Sequence, residues 1–410
     1  MIHICFGLHD ETGHYSKFTG TAICSIFENA KAPSQSILIH ILHDNTLTYD
    51  NCDKFNYLAG KYNQLVKFYN VEELCPDKVQ KMIEIVPQVQ TSRVSVGAFY
   101  RLLIAELLPT DIEKIIYFDS DIIVNLDIAE LWQIELDDKP LAAVTEISNG
   151  VDSATWFDLC RDGFVKAEDY FNSGVMIINL KFLRTAAEII FDGIKFRGKH
   201  TNYSFFDQTV WNYCFSTQAL KLPTKFNRFV RWVRKSEETV ERKIYHYTVH
   251  ALRFDMEDIF NLLWLKYFFK TPFFEVESIG RLWSKFEQIR NDLEKTRLKI
   301  SAIISGKTRA FFIAPEEIEE TRKIFKIRAA ELIIPAEDEG SLKNLLDTMK
   351  AANGKSVFFI MTEKFSDKKF PFEKLTAAGF VGGKDFIKGW HLLSDANGKP
   401  FNSYSLVMAM

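Results

Sequence analysis

Lys114-Ile-Ile-Tyr-Phe-Asp-Ser-Asp-Ile-Ile-Val124 is the stretch on which the reading of this chain turns. Strand-forming, mostly apolar residues run into Asp119-Ser120-Asp121, and a second apolar run follows at once. A strand of that composition is expected to be buried on both faces, as in a parallel sheet. Two carboxylates one residue apart at its end are costly to desolvate without a counter-charge. A hard divalent cation, magnesium or manganese, supplies that charge because it prefers oxygen ligands. Two solvated aspartates in a turn would give the same local pattern, so the surrounding chain has to arbitrate.

Outward from this stretch, strands and helices alternate. Residues 2–8, 36–42 and 66–69 read as strands, and 18–29 and 47–62 as helices. Such alternation implies a mostly parallel sheet with helices on both faces. Ligands of these sheets bind beyond the carboxyl ends of the strands. The polar loop His9-Asp-Glu-Thr-Gly-His-Tyr15 and the aspartate pair would share that edge. Residues 95–108 read as one amphipathic helix that carries Arg101 and stops at Pro109. A strand over 141–145, a surface excursion over 148–168 and a polar turn containing Gly174 come next. That turn leads into a buried strand ending near Leu180. A helix over 181–191, a helix starting at 206, a short connection over 222–227 and a strand over 243–247 holding His246 complete the pattern.

Residues 261–274 are dense in aromatics with lysines between them. They read either as a helix packed on the core or as an amphipathic surface meeting lipid or a lipid-linked acceptor. Residues 279–304 read as a charged connecting helix. From 307 the strand–helix alternation restarts, giving a small Rossmann-like α/β domain. Its first turn is Ala314-Pro-Glu-Glu317, where a dinucleotide site would need a glycine-rich loop, so nucleotide binding is not expected there. The expected division is 1–275, a helical connector over 276–306, and 307–410.

A net charge of -3 argues against nucleic acid as a partner. The six cysteines form no Cys-x-x-Cys pair and several lie in apolar runs, which points to a reduced, intracellular setting. The N-terminus enters a strand without a basic region, and no apolar run approaches a membrane span. A cytoplasmic protein is expected.

Six ordered segments together resemble the retaining glycosyltransferases of family 8, with their A-type nucleotide-sugar fold. They are Ser95-Val-Gly-Ala-Phe-Tyr-Arg-Leu102 with Leu108-Pro109, Ile116-Tyr-Phe-Asp-Ser-Asp-Ile-Ile-Val124, and Phe171-Asn-Ser-Gly-Val-Met-Ile-Ile-Asn-Leu180. After these come Asp207-Gln208, Leu222-Pro-Thr-Lys-Phe-Asn227 and Ile244-Tyr-His-Tyr247. The resemblance covers about residues 1–275 and implies transfer of glucose or galactose from a UDP-sugar to a glycan or lipid-linked glycan. Bacterial polysaccharide or lipopolysaccharide assembly, at the inner face of the cell membrane, is the implied setting. It also implies that Asp119, Asp121 and His246 hold Mn2+ or Mg2+ bridging the diphosphate. Arg101, Ser120 and Asn172 would contact the donor, and Asp207 and Gln208 would lie nearest the reacting face of the sugar. Asp10 and Tyr15 stand where family members bind uracil and ribose. After His246 the family's Gly-x-x-Lys-Pro-Trp is replaced by Thr248-Val-His-Ala-Leu-Arg-Phe-Asp255, with Arg253 an approximate substitute for the lysine. That departure keeps a catalytically weak sugar-nucleotide-binding protein in view. A phosphatase of the haloacid dehalogenase type shares the strand-Asp-x-Asp pattern and is the other alternative.

Overall fold

The computed structural model describes residues 1–13, 15–31, 36–90, 97–233, 239–248, 258–275, scattered positions between 277 and 301, then 302–315, 318–319, 322, 327–361, 364–365 and 368–388. The chain divides into two compact units, Met1–Val276 and Glu277–Ala409.

Ten strands of the first unit are β1 (Ile2–Leu8), β2 (Ile37–His43), β3 (Leu65–Asn70), β4 (Lys114–Phe118), β5 (Ile122–Val124), β6 (Leu141–Thr145), β7 (Phe171–Asn179), β8 (Leu220–Lys221), β9 (Arg228–Phe229) and β10 (Ile244–His246). Seven form the main sheet in the order β3-β2-β1-β4-β7-β6-β8. Strands β3, β2, β1 and β4 run parallel, whereas β7 is antiparallel to both β4 and β6. The sheet is therefore mixed and mostly parallel, and helices α1 (Ser16–Asn29) and α2 (Tyr49–Lys61) supply two of its crossovers. Strands β4 and β6 are continuous apolar runs because both of their faces are covered.

The antiparallel strand is what builds the site. Asn172-Ser173-Gly174, expected as a turn, already belongs to β7. Because β7 runs against β4, its first residues meet the last residues of β4. Phe118 pairs with Val175, and the Asp119 N–H donates to Gly174 O at 2.8 Å. A second sheet, β5-β10-β9, folds the chain back over the same point, pairing His246 with Ile122. The helix expected over 95–108 is broken, with a 3-10 turn at Arg101–Leu103 between α-helical turns Gly97–Tyr100 and Ile104–Leu107. The tighter turn falls at the residue whose side chain is tied into the site. Residues 95 and 96 lie outside the described residues.

The helix Ile259–Phe268 is capped by Asp258, which accepts from Phe260 N and Asn261 N. All four of its aromatic residues, Phe260, Trp264, Tyr267 and Phe268, are buried. Each such ring removed from water contributes about 1.5–3 kcal/mol, so core packing governs this helix. Only Leu262 and Lys266 are exposed along it, followed by Phe269 and Lys270. Gly20 of α1 makes the packing feasible, since a Cβ there would fall 2.4 Å from the Phe273 ring. Among the described residues no helix is long and apolar enough to cross a membrane.

The second unit contains β11 (Thr308–Ile313), β12 (Leu332–Pro335), β13 (Ser356–Ile360) and a strand at Phe386–Lys388. They form a parallel sheet in the order β12-β11-β13 and then Phe386–Lys388. The helix Glu339–Ala352 starts on a capping box between Asp338 and Ser341. The strand Phe386–Lys388 follows Gly379-Phe-Val-Gly-Gly383, a glycine-rich run that reads as a turn. Residues 316–326, in the alternating stretch after 307, lie largely outside the described residues, and the helix expected over 279–304 is described only at scattered positions, which are helical.

Candidate active site

Asp119 and Asp121 leave the end of β4, and β10 lays His246 across them. One ligand atom of each lies within 4.8 Å of the others. His246 Nε2 is 3.2 Å from Asp121 Oδ1 and 3.9 Å from Asp119 Oδ2. Burial alone would raise the Asp121 carboxyl. The charge and hydrogen bond of His246 outweigh it, so Asp121 titrates below the ordinary range. Burial would likewise lower His246, and the two aspartates raise it instead. Gly174 closes the floor of the site, where a Cβ would lie 2.4 Å from His246 Cε1 and 2.7 Å from Asp119 Oδ2. Glycine is required here for close approach.

Arg101 joins this cluster to Asp207. Its Nη2 is 2.8 Å from Asp119 Oδ1, its Nη1 donates to Ser173 O at 3.1 Å, and its guanidinium lies 4.4 Å over the Tyr117 ring. Burial opposes the arginine's charge, but Asp119 and Asp207 hold it firmly protonated. Asp207 is in the first turn of the helix Phe206–Phe215, whose N-cap is Phe205, so it is not the cap residue. Its carboxyl is raised by burial, only partly countered by Arg101. Arg101 Nε lies 3.1 Å from Asp207 Oδ2, yet its N–H is aimed at Ala98 O. Asp207 Oδ2 is thus buried without a directed hydrogen bond among the described residues. A buried acceptor with open lone pairs is what a hydroxyl-bearing ligand would satisfy.

Asn172 and Gln208 sit in one buried network. Asn172 Nδ2 donates to Gln208 Oε1 at 3.2 Å and to Glu146 Oε1 at 3.0 Å. Gln208 Oε1 also accepts from Ser173 N at 3.0 Å. Glu146 follows β6 and is pushed up to about 7 by burial, against the hydrogen bonds from Asn172 and Gln208. Sequence reasoning missed Glu146 because a lone glutamate after a strand carries no signature. It also gave Asn227 no role, although the residue ended one of the quoted segments. Asn227 is fully buried, 3.0 Å from His246 Nδ1 and 2.8 Å from Asn172 Oδ1.

The remaining expected residues are placed differently. Asp10 is buried and turned into its own chain, accepting from Tyr15 N at 2.6 Å and from Ser16 N at 3.0 Å. Tyr15 stands next to the aspartates, whose charge adds to burial in raising its hydroxyl. Ser120 bonds Thr19 Oγ1 at 2.8 Å, anchoring the Asp-Ser-Asp turn to α1. Arg253, with His250, lies outside the described residues.

Residues 4–251, more than half the chain, match the sequence profile described as glycosyl transferase family 8. The chain belongs to that family. Within it, the chain is 28% identical over 216 residues to lipopolysaccharide 1,2-glucosyltransferase of Escherichia coli, covering 52% of this chain and 59% of that protein. It is 27% identical over 188 residues to probable galacturonosyltransferase-like 4 of Arabidopsis thaliana, covering 44% and 50%. The match thus spans between half and three fifths of these relatives' length. In fold it is similar to the galactosyltransferase LgtC in complex with donor and acceptor sugar analogues, at TM-score 0.52 and 18% identity. That likeness covers 68% of this chain and 99% of LgtC. The family match ends before the helix Ile259–Phe268 and the second unit.

Proposed function

We propose that this family 8 member transfers a hexose, glucose or galactose, from a UDP-sugar to a glycan acceptor. The observation carrying this reading is the charge of the cluster. Asp119, Asp121 and Asp207 bring three carboxylates against one guanidinium, Arg101, and a histidine that is neutral when it acts as a ligand. The remainder suits a divalent cation. A nitrogen ligand beside two carboxylates favours manganese over magnesium, which is reluctant to leave an oxygen shell. A cation held by Asp119, Asp121 and His246 would neutralise the diphosphate as it departs.

The protein groups have separate tasks in this reading. Arg101, braced by Asp119, offers a fixed guanidinium to donor oxygens. Asp207 Oδ2 accepts from a sugar hydroxyl, and Asn172 with Gln208 shapes the bed beneath the ring. Tyr15 borders the nucleotide. The acceptor is a glycan or lipid-linked glycan of a surface polysaccharide, and the stripe Leu262, Lys266, Phe269 and Lys270 is the surface available for a peripheral membrane contact on the cytoplasmic side. Family membership removes the haloacid dehalogenase alternative.

The test is hydrolysis of UDP-glucose and UDP-galactose, a slow side reaction of transferases, with Mn2+ and with EDTA. Release of UDP only when the metal is present supports the reading. UDP-sugar binding without turnover under any metal would favour the non-catalytic alternative instead.

A further inference from the structure

We infer that Asn227 is a positioning residue in a one-way hydrogen-bond relay, His246–Asn227–Asn172–Glu146, that locks the metal ligand and the sugar bed into one register. The inference rests on the metal reading above. Its geometry is fixed from an end that cannot be reversed.

The Gly174 backbone N–H donates to Asn172 Oδ1 at 3.0 Å. A backbone N–H has no alternative role, so this oxygen must face Gly174, and Asn172 Nδ2 must face Glu146 and Gln208. Asn227 approaches the same Asn172 oxygen at 2.8 Å and must present its own Nδ2 there. Its Oδ1 is then left for His246 Nδ1 at 3.0 Å, and a carbonyl oxygen can only accept. His246 Nδ1 therefore carries a proton, and Nε2, which faces Asp119 and Asp121, is the nitrogen whose lone pair is free for a cation once one binds. That is the tautomer a metal ligand needs. The relay runs donor to acceptor at every step and ends on Glu146 Oε1, as a longer version of the carboxylate–histidine pairs that orient metal ligands.

Asn227 is itself held rigidly. Its side chain is fully buried, and its backbone O accepts from Asn149 Nδ2 at 2.9 Å. One amide of Asn227 touches both His246 and Asn172. A polar residue in this place thus sets the His246 tautomer and the Asn172 orientation together.

Two substitutions separate the two ends. Asn227→Asp keeps an acceptor for His246 but has no proton for Asn172, and sets an oxygen against Asn172 Oδ1. Asn227→Leu removes both bonds. Mn2+ affinity is read by electron paramagnetic resonance titration of the full chain, and donor KM and kcat by UDP-glucose hydrolysis at saturating Mn2+. Asn227→Leu is expected to weaken Mn2+ binding about 10- to 100-fold, the scale of disturbed outer-shell partners. Asn227→Asp is expected to bind Mn2+ at least as tightly as the parent while its donor KM rises about tenfold or more. Should Asn227→Leu not fold, Asn227→Asp alone decides. Parallel losses of metal and donor affinity in that variant would mean a merely structural role and overturn the relay. Unchanged Mn2+ affinity in folded Asn227→Leu overturns it too. A parent that binds no Mn2+ would instead overturn the metal reading itself, and the relay with it.

Discussion

Among the described residues of the first unit, His9 pairs with Asp44 and His246 with Asp121. In the first, His9 Nδ1 lies 2.5 Å from Asp44 Oδ2, and Tyr100 OH donates to the same oxygen at 2.8 Å. The other oxygen of Asp44 accepts from the Thr46 backbone at 3.0 Å and from the Thr46 hydroxyl. One acid meets one base and every lone pair has a donor. In the second pair the histidine faces two acids, at 3.2 and 3.9 Å, and its outer nitrogen is taken by Asn227. The difference lies in the surplus of acceptors. A pair closed by neutral donors is a structural brace, while a pair beside a second carboxylate, with only Arg101 and Tyr117 on that acid's far oxygen, invites a cation.

The comparison is broken most directly by removing the surplus. Asp121→Ala is expected to lower metal-dependent UDP-sugar hydrolysis about a thousandfold, the scale of several kcal/mol of charge stabilisation. The fold, followed by circular dichroism, should persist. Activity within tenfold of the parent would place the metal elsewhere.

Asp10 sharpens the same contrast, because it shares the sheet edge but spends its oxygens on Tyr15 N, Ser16 N and the Ser16 hydroxyl. Asp10→Ala should cost about 2 kcal/mol of stability in urea melts, as for a lost helix-start acceptor with buried donors left open. The Mn2+ concentration for half-maximal activity should not move. A large shift in it with stability intact would make Asp10 part of the donor site instead.

His246→Ala is expected to raise the Mn2+ concentration needed for half-maximal activity by more than about tenfold. His9→Gln, at the braced pair, should leave it unchanged. Equal effects from both would erase the distinction between the two pairs.

How much of this was legible beforehand follows the same division. Apolar runs and turn residues announced β1, β2, β4 and β6, because buried strands write their environment into consecutive residues. Asp119, Asp121 and His246 were legible through the family's segments. What stayed hidden depends on chain reversal. Nothing in Phe171-Asn-Ser-Gly states that it pairs antiparallel with β4, so the convergence of Asn172 and Gly174 on Asp119 needed the structure. Glu146 and Asn227 act through contacts 26 and 55 positions from Asn172 in the chain, and such spacing leaves no local mark. The break at Arg101–Leu103 overrode an amphipathic pattern that read as one helix, since tertiary ties outweigh helix propensity.

The smallest expected effect is a pH dependence at the braced pair. Burial alone would raise Asp44, but His9, Thr46 and Tyr100 outweigh it and hold the carboxyl at about 2, against an ordinary value of 3.8. A depressed acid stabilises the fold above its unfolded value and loses that contribution as pH falls toward the folded one. His9 is raised above 6.5, chiefly by its hydrogen bond to Asp44 against the opposing effect of burial. A raised base stabilises below its unfolded value and loses the contribution as pH climbs through the folded one. The pair therefore contributes most between about pH 4 and 6.5. His9→Gln should cost about 1 kcal/mol more at pH 5 than at pH 8.5, read from paired urea melts in which the other titrating groups cancel. A stability gap that is flat with pH, or wider at pH 8.5, would show that His9 and Asp44 do not form a charged brace, and the contrast with His246 and Asp121 would then rest on geometry alone.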